Sequence, residues 1–261
     1  MGATGKGDVM VEAWAVAAGL LGAALGSFLN VCVHRWPRDE SIVSPRSRCP
    51  ACGRAIGWYD NIPVVSWLLL RGRCRGCGAP ISAQYPLVEL AAAAIWAGVA
   101  WWLGPGMESV RIALFLTILL GIALTDARHY IIPDEFTLGG LGIGLALAAL
   151  PGGMEFTRAA IGAAIGFAVL WVVAVVGEKA FRKPAMGGGD IKMMAMVGAF
   201  VGAQGVFLTI FLGALLGALI FGPISLKTGK LVPFGIFLAM GAAVTAIWGP
   251  AVVEWYISTF L

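Results

Sequence analysis

Long apolar stretches separated by short polar ones run along almost the whole chain. The first covers about residues 11–33 and is followed by a polar interval, 34–84, the only part large enough to form a domain outside a membrane. Seven more apolar stretches follow, at about 86–103, 108–126, 135–151, 157–177, 190–203, 205–223 and 232–258. Each lies near the ~17–25 residues that a helix needs to cross hydrocarbon. The 190–203 stretch is short, and its boundary with the next rests on Gly202 and Gly205. The pattern predicts an all-α polytopic membrane protein of about eight transmembrane helices. Its expected parts are a first membrane helix (1–33), a small extramembrane domain (34–85) and a seven-helix membrane domain (86–261).

Composition narrows the class. The chain is 59% hydrophobic and 12% charged, with a mean hydropathy of +0.88. Soluble domains are about 45–50% apolar and about 25% charged, so a soluble globular enzyme is excluded. Ten Trp, 13 Phe and 4 Tyr exclude a disordered chain. The first stretch reads as a retained membrane helix rather than a signal peptide, because Lys6 is offset by Asp8 and Glu12 and the apolar run is long.

Charge sets the expected orientation. Eight of the 18 Lys and Arg lie between Arg35 and Arg75. Beside a membrane, such a stretch reports topology and contact with anionic lipid head groups, and no nucleic-acid partner is expected. If the polar interval faces the cytoplasm, that side receives 15 of the basic residues and the other side three, Lys6, Arg111 and Arg158. The bias predicts a multi-pass protein of the cytoplasmic membrane with both termini outside.

Within the polar interval, Cys49-Pro-Ala-Cys52 and Cys74-Arg-Gly-Cys77 form two C-x2-C pairs separated by 21 residues. Four thiolates at about 2.3 Å make a closed tetrahedral zinc site, and Gly53 and Gly78 suit the turns that such pairs need. Two disulfides or a redox pair are the rival readings, and a reducing compartment disfavours them. A site without an open coordination position makes the zinc structural. Cys32, alone in the first apolar stretch, reads as packing.

Acidic residues in membrane spans are functional candidates. Asp126 ends the third span and Asp190 begins the sixth, both at the expected cytoplasmic edge. Each has a plainer reading as an interfacial acid near a helix end. Together they form the minimum set for aspartyl peptide hydrolysis, one activating water and the other donating a proton. Gly187-Gly188-Gly189 before Asp190 marks backbone that an extended peptide could approach and pair with. Helix dipoles give Asp190 the base's role and Asp126 the acid's. Asp134 reads as a cap of the fourth span, and Lys192 as a contact for lipid head groups. Glu89, one turn into the second span, either lines a substrate groove or reaches the interface. Asp39, Glu40, Asp60 and Glu135 are candidate acidic contacts for a basic ligand.

The chain resembles the bacterial type IV prepilin peptidases, the prepilin leader peptidase/N-methyltransferases, which are membrane aspartyl proteases of the GxGD type. The resemblance is carried across nearly the whole length. Its first half comprises Gly26-Ser-Phe-Leu-Asn-Val31, His34-Arg-Trp-Pro37, both C-x2-C pairs, Asn61-Ile-Pro63, Leu70-Arg-Gly-Arg-Cys74, Ile81-Ser82 and Tyr85-Pro-Leu-Val-Glu89. Its second half comprises Asp126 with Ile132-Pro-Asp134, and Gly187-Gly-Gly-Asp190-Ile-Lys192.

The resemblance implies removal of the short basic leader from type IV prepilins or type II secretion pseudopilins at the cytoplasmic face of the bacterial inner membrane. Cleavage follows a Gly, usually before a Phe. It also implies methylation of the new N-terminal amine from S-adenosylmethionine. The resemblance carries the catalytic aspartates over onto Asp126 and Asp190, and the zinc cysteines onto Cys49, Cys52, Cys74 and Cys77 in the segment associated with methyl transfer. No G-x-G-x-x-G follows a strand, so a Rossmann cofactor site is not expected. Three alternatives are a peptidase whose zinc domain only docks the substrate, a small transporter with a zinc knuckle, and a membrane-tethered zinc-ribbon binding module.

Overall fold

A computed structural model describes residues 4–183, 186–228 and 233–260. Among the described residues the regular structure is helical, with only two isolated β-bridges. The helices are α1 (Thr4–Arg35), α2 (Val65–Leu69), α3 (Gln84–Leu103), α4 (Met107–His129), α5 (Asp134–Ala148), α6 (Phe156–Phe181), α7 (Gly188–Thr228) and α8 (Phe234–Phe260). Six of them, α1, α3, α4, α6, α7 and α8, are long and apolar enough to cross a membrane. At 15 residues, α5 spans about 22 Å, short of a ~30 Å hydrocarbon core.

The apparent length of α7 conceals a reversal. Gly202 has φ 73° and ψ 177°, outside the helical region, a conformation open to Gly because it lacks a Cβ. Contacts on either side establish the change of direction. Before the break, Gly189 packs against Ile132, which also meets Gly235 at the start of α8. After it, Gly213 and Gly217 pack against Phe237 of α8. In one straight helix, residues 189 and 215 would lie about 39 Å apart. Both ends instead reach the first turn of α8, so 188–201 and 203–228 run as two antiparallel arms. The expected boundary near Gly202 and Gly205 is this break. With it, the apolar helical segments number eight among the described residues, matching the count read from the pattern.

The chain divides into two compact units, Met1–Ala113 and Leu114–Leu261. In the first, α1 runs antiparallel to α3 at backbone contact. A Cβ on Gly22 would lie 2.6 Å from the Ala92 carbonyl oxygen, and one on Gly26 would lie 2.8 Å from the Glu89 Cα. In lipid, apolar area alone does not draw helices together, and small residues that admit close approach take over that work.

The second unit uses the same device. Gly162 of α6 and Gly198 of α7 abut so closely that a Cβ on either would overlap the other's backbone carbonyl. Met193, Met194, Met196, Val197 and Phe200 of α7 are fully buried, and Phe115 stacks on Phe200 with centroids 4.5 Å apart. Thr209 donates to Thr245 at 3.1 Å across α7 and α8. Phe207, Phe211, Leu219 and Trp171 point outward, as a lipid-facing surface requires. Three helix starts, those of α5, α7 and α8, collect at one end of this unit beside the last turn of α4.

Candidate active site and metal centre

Asp126 lies in the last turn of α4 and is 5% exposed. The helix closes when Tyr130 N–H donates to the Asp126 carbonyl at 3.0 Å, with Tyr130 at φ 54°. The chain then runs through Ile132 and Pro133 into α5. The Asp126 carboxylate meets the beginning of α8, where Ile236 N–H donates to its Oδ2 at 3.0 Å. The first N–H groups of a helix have no partner within it, so Asp126 caps α8 from another helix. The reading of helix ends placed Asp126 at a C-terminus only. The fold adds an N-terminal dipole and a donor, giving Asp126 as strong a claim to the base's role as Asp190 has.

Asp190 stands in the first turn of α7. It takes a backbone hydrogen bond from Gly187 and interacts electrostatically with Asp126. Its Oδ1 is buried without a hydrogen-bond partner among the described residues. Ile132 lies against both Gly189 at the start of α7 and Gly235 at the start of α8. A Cβ on Gly189 would lie 3.0 Å from the Ile132 Cβ, and one on Gly235 would lie 2.7 Å from its Cδ1 and 2.9 Å from Asp126 Oδ2. Gly187 and Gly188 are exposed, and nothing lies within 4 Å of a Cβ built on Gly188.

The sequence reading missed the first turn of α8, Phe234-Gly235-Ile236 after Pro233. The available signal was a Pro followed by a Gly at the entrance to an apolar span, a place where a close backbone approach gives Gly a use.

Two neighbours differ from expectation. Asp134 does not cap α5: Pro133 holds the cap position and makes no side-chain cap bond. Lys192 does not reach toward head groups. Instead, its Nζ lies 2.7 Å from both carboxylate oxygens of Asp134, because the starts of α5 and α7 lie side by side. Glu89 does not line an open groove. It is 7% exposed, and its Oε2 accepts the Val64 N–H at 2.7 Å. Val64 has φ 62°, with Val65 N–H bonded to the Pro63 carbonyl at 2.6 Å, a strained turn for a β-branched residue. Asn30 donates to the Tyr85 carbonyl at 3.1 Å nearby. Asp60 is held by Arg75 at 2.7 Å rather than left open.

The four cysteines converge from two matching turns. Cys49 N–H bonds the Arg54 carbonyl at 2.9 Å and Gly53 N–H the Cys49 carbonyl at 2.9 Å; Cys74 with Ala79, and Gly78 with Cys74, repeat the pattern at 2.8 and 2.9 Å. Gly53 and Gly78 have φ 72° and 71°. All four sulfurs lie within 4.8 Å of one another, with Cys49 and Cys77 3.9 Å apart. Tetrahedral zinc with ~2.3 Å bonds sets its sulfurs about 3.8 Å apart, so the cluster fits that ion closely. None of the five cysteines is joined in a disulfide.

Charge makes the same case for a cation. N–H groups of Cys77 and Gly76 aimed at the Cys74 sulfur lower its pKa to about 6. The Ala79 N–H favours a thiolate at Cys77, but the crowding of Cys52, Cys74 and Cys49 and burial push it up to about 11. Four thiolates this close need a positive ion to coexist.

Comparison with known proteins follows this geometry closely. Residues 20–103 match the bacterial peptidase A24 N-terminal domain, and residues 113–222 the type IV leader peptidase family. A prepilin leader peptidase/N-methyltransferase of Myxococcus xanthus is 42% identical over 215 residues, 82% of this chain and 64% of that protein. Proteins of the same name from Aeromonas hydrophila and Pseudomonas aeruginosa are 37% identical over 270 residues and 36% over 266, covering 93% and 91% of both chains. No solved structure matches the chain.

Proposed function

The chain belongs to the type IV leader peptidase family, and from that premise we propose that Asp126 and Asp190 are the catalytic dyad of a bifunctional prepilin leader peptidase/N-methyltransferase. Its substrates are type IV prepilins or pseudopilins. The observation that carries this reading is that two acids from different helices interact electrostatically while each takes a backbone N–H, Asp126 from the first turn of α8 and Asp190 from Gly187.

Hydrolysis needs one carboxylate and one carboxylic acid. The carboxylate takes a proton from water as the water oxygen bonds to the scissile carbonyl carbon. The acid gives its proton to the carbonyl oxygen, forming a tetrahedral diol. Its collapse breaks the C–N bond: the dyad gives its proton to the leaving amine, a diol hydroxyl returns its proton to the dyad as the carbonyl re-forms, and the pair ends sharing one proton again. The two groups titrate as a unit, so the roles belong to the pair. Gly187, Gly188 and Gly189 supply the backbone along which the substrate lies extended. S-adenosylmethionine is the methyl donor for the new N-terminal amine, taken up as a second substrate.

Cys49, Cys52, Cys74 and Cys77 hold a structural zinc ion that fixes the 34–85 segment, which would otherwise have little core. The site lies at the cytoplasmic face of the bacterial inner membrane, with both termini outside. Arg128, Arg182 and Lys192 at the site's end of the second unit agree with the positive-inside bias.

The test expresses Asp126→Asn and Asp190→Asn separately with a prepilin, reading leader loss by gel mobility and the methyl group by mass spectrometry. Loss of cleavage in both, at normal membrane levels, is the expected result. Normal cleavage by either removes that aspartate from the chemistry.

A further inference from the structure

An ion pair outside the dyad closes a loop of contacts that runs through it. Lys192 Nζ lies 2.7 Å from both oxygens of Asp134. Asp134 is the first residue of α5 and follows Pro133, whose φ of −59° the ring restricts. One residue further back, Ile132 packs against Gly189 and Gly235. Gly189 precedes Asp190, and Gly235 abuts the Asp126 carboxylate. Lys192 lies two residues beyond Asp190, off its helical face, so it acts on the dyad only through the backbone of the first turn of α7.

From this connectivity, and resting on the proposed peptidase function, we infer that Asp134 and Lys192 are a positioning pair that sets the separation of Asp126 and Asp190. The clasp draws the starts of α5 and α7 together and holds Ile132 against Gly189 at the start of α7 and Gly235 at the start of α8, the helix turn that meets the Asp126 carboxylate. Release lets Ile132 and the Gly187–Gly189 backbone drift apart and widens the dyad. The two side chains are 54% and 39% exposed, and exposed pairs contribute little to global stability. Variants that break the clasp therefore insert and fold, and their defect is in turnover.

Full-length protein reconstituted in liposomes with a prepilin substrate provides the test. Asp134→Asn and Lys192→Gln each lower kcat about tenfold, short of the ~hundredfold that a full ångström of misplacement costs, while KM stays within about twofold. The neutral double variant is no worse than either single variant, because each change releases the same clasp. Exchanging the charges, Asp134→Lys with Lys192→Asp, recovers most of the kcat lost in Lys192→Asp alone.

Wild-type kcat in the neutral variants overturns the inference. So do losses that multiply in the double variant, and so does a raised KM at constant kcat, which would mark a direct contact with the leader. Should a neutral variant fail to insert, the charge exchange decides: no recovery overturns the clasp. Wild-type protein that removes no leader refutes the proposed function instead, whereas active wild type beside unaffected variants refutes only the clasp.

Discussion

Gly235→Ala tests the site through a single methyl group. Gly235 is in the first turn of α8, and its added Cβ would lie 2.7 Å from Ile132 Cδ1, 2.9 Å from Asp126 Oδ2 and 3.1 Å from Asp126 Cγ. Carbon atoms in contact sit about 3.5–4.0 Å apart, so the methyl overlaps Ile132 by about 1 Å and the carboxylate by about half that. Ile132 can rotate its terminal methyl aside. Asp126 cannot yield without stretching its 3.0 Å bond from Ile236 N–H. A full ångström of misplacement costs about a hundredfold in rate, so half an ångström is expected to lower kcat about tenfold, with KM little changed.

Stability should move less. Replacing a helical Gly with Ala gains up to about 1 kcal/mol, against about 1–3 kcal/mol for overpacking. The assay is steady-state cleavage of a prepilin by liposome-reconstituted enzyme, with thermal unfolding measured alongside. Gly142→Ala on α5 is the control, since nothing lies within 4 Å of its added Cβ; its kcat should equal wild type. A Gly235→Ala enzyme with kcat within twofold of wild type refutes the placement of α8 against the dyad.

Other consequences are equally open to measurement. Gly198→Ala drives a methyl into the Gly162 backbone, where no rotamer gives relief; a loss of about 3 kcal/mol or more is expected, read as lowered yield of monodisperse protein and lowered Tm. Glu89→Ala strips the acceptor from the half-buried Val64 N–H and should destabilise the first unit by about 1 kcal/mol. Val64→Gly, which relieves the positive φ, should recover part of that loss by the same thermal measurement. Elemental analysis should find one zinc per chain, and Cys49→Ser should lose it and unfold the backbone around Arg54, Arg71 and Arg73, whose side chains are already exposed, so that trypsin cuts there faster than in wild type. In chelator-stripped protein at pH 7, Cys74 is above its lowered pKa of about 6 and ionised, whereas Cys77 at about 11 is protonated. Peptide mapping after brief alkylation should therefore find Cys74 modified before Cys77, and the reverse order would refute the assignment of the N–H donors.

Much of this protein was legible along the chain, because the bilayer constrains sequence strongly. Hydrocarbon demands long apolar helices, so the number of apolar helical segments could be read from runs of residues, and the Gly202 boundary coincided with a real break. Metal coordination is similarly local, since each C-x2-C pair with its glycine builds its own turn before the pairs meet. Asp126 and Asp190 could be singled out because carboxylates at span ends are costly.

Relations between distant residues were not legible. The Asp134–Lys192 pair joins positions 58 residues apart, and Asp126 caps a helix 110 residues away. Hydropathy carries no record of which helix starts share an end, and a dipole argument made from one helix cannot include the donors of another. Glu89 looked like a functional acid in a membrane span, and only the fold supplied its partner, the N–H of a strained turn 25 residues earlier. Local rules determined which segments form apolar helices and where cysteine clusters and carboxylates are placed along the chain. Tertiary packing decided which backbone donors meet which carboxylates, because hydrogen bonds and ion pairs act over about 3 Å, and only the folded chain brings distant groups that close.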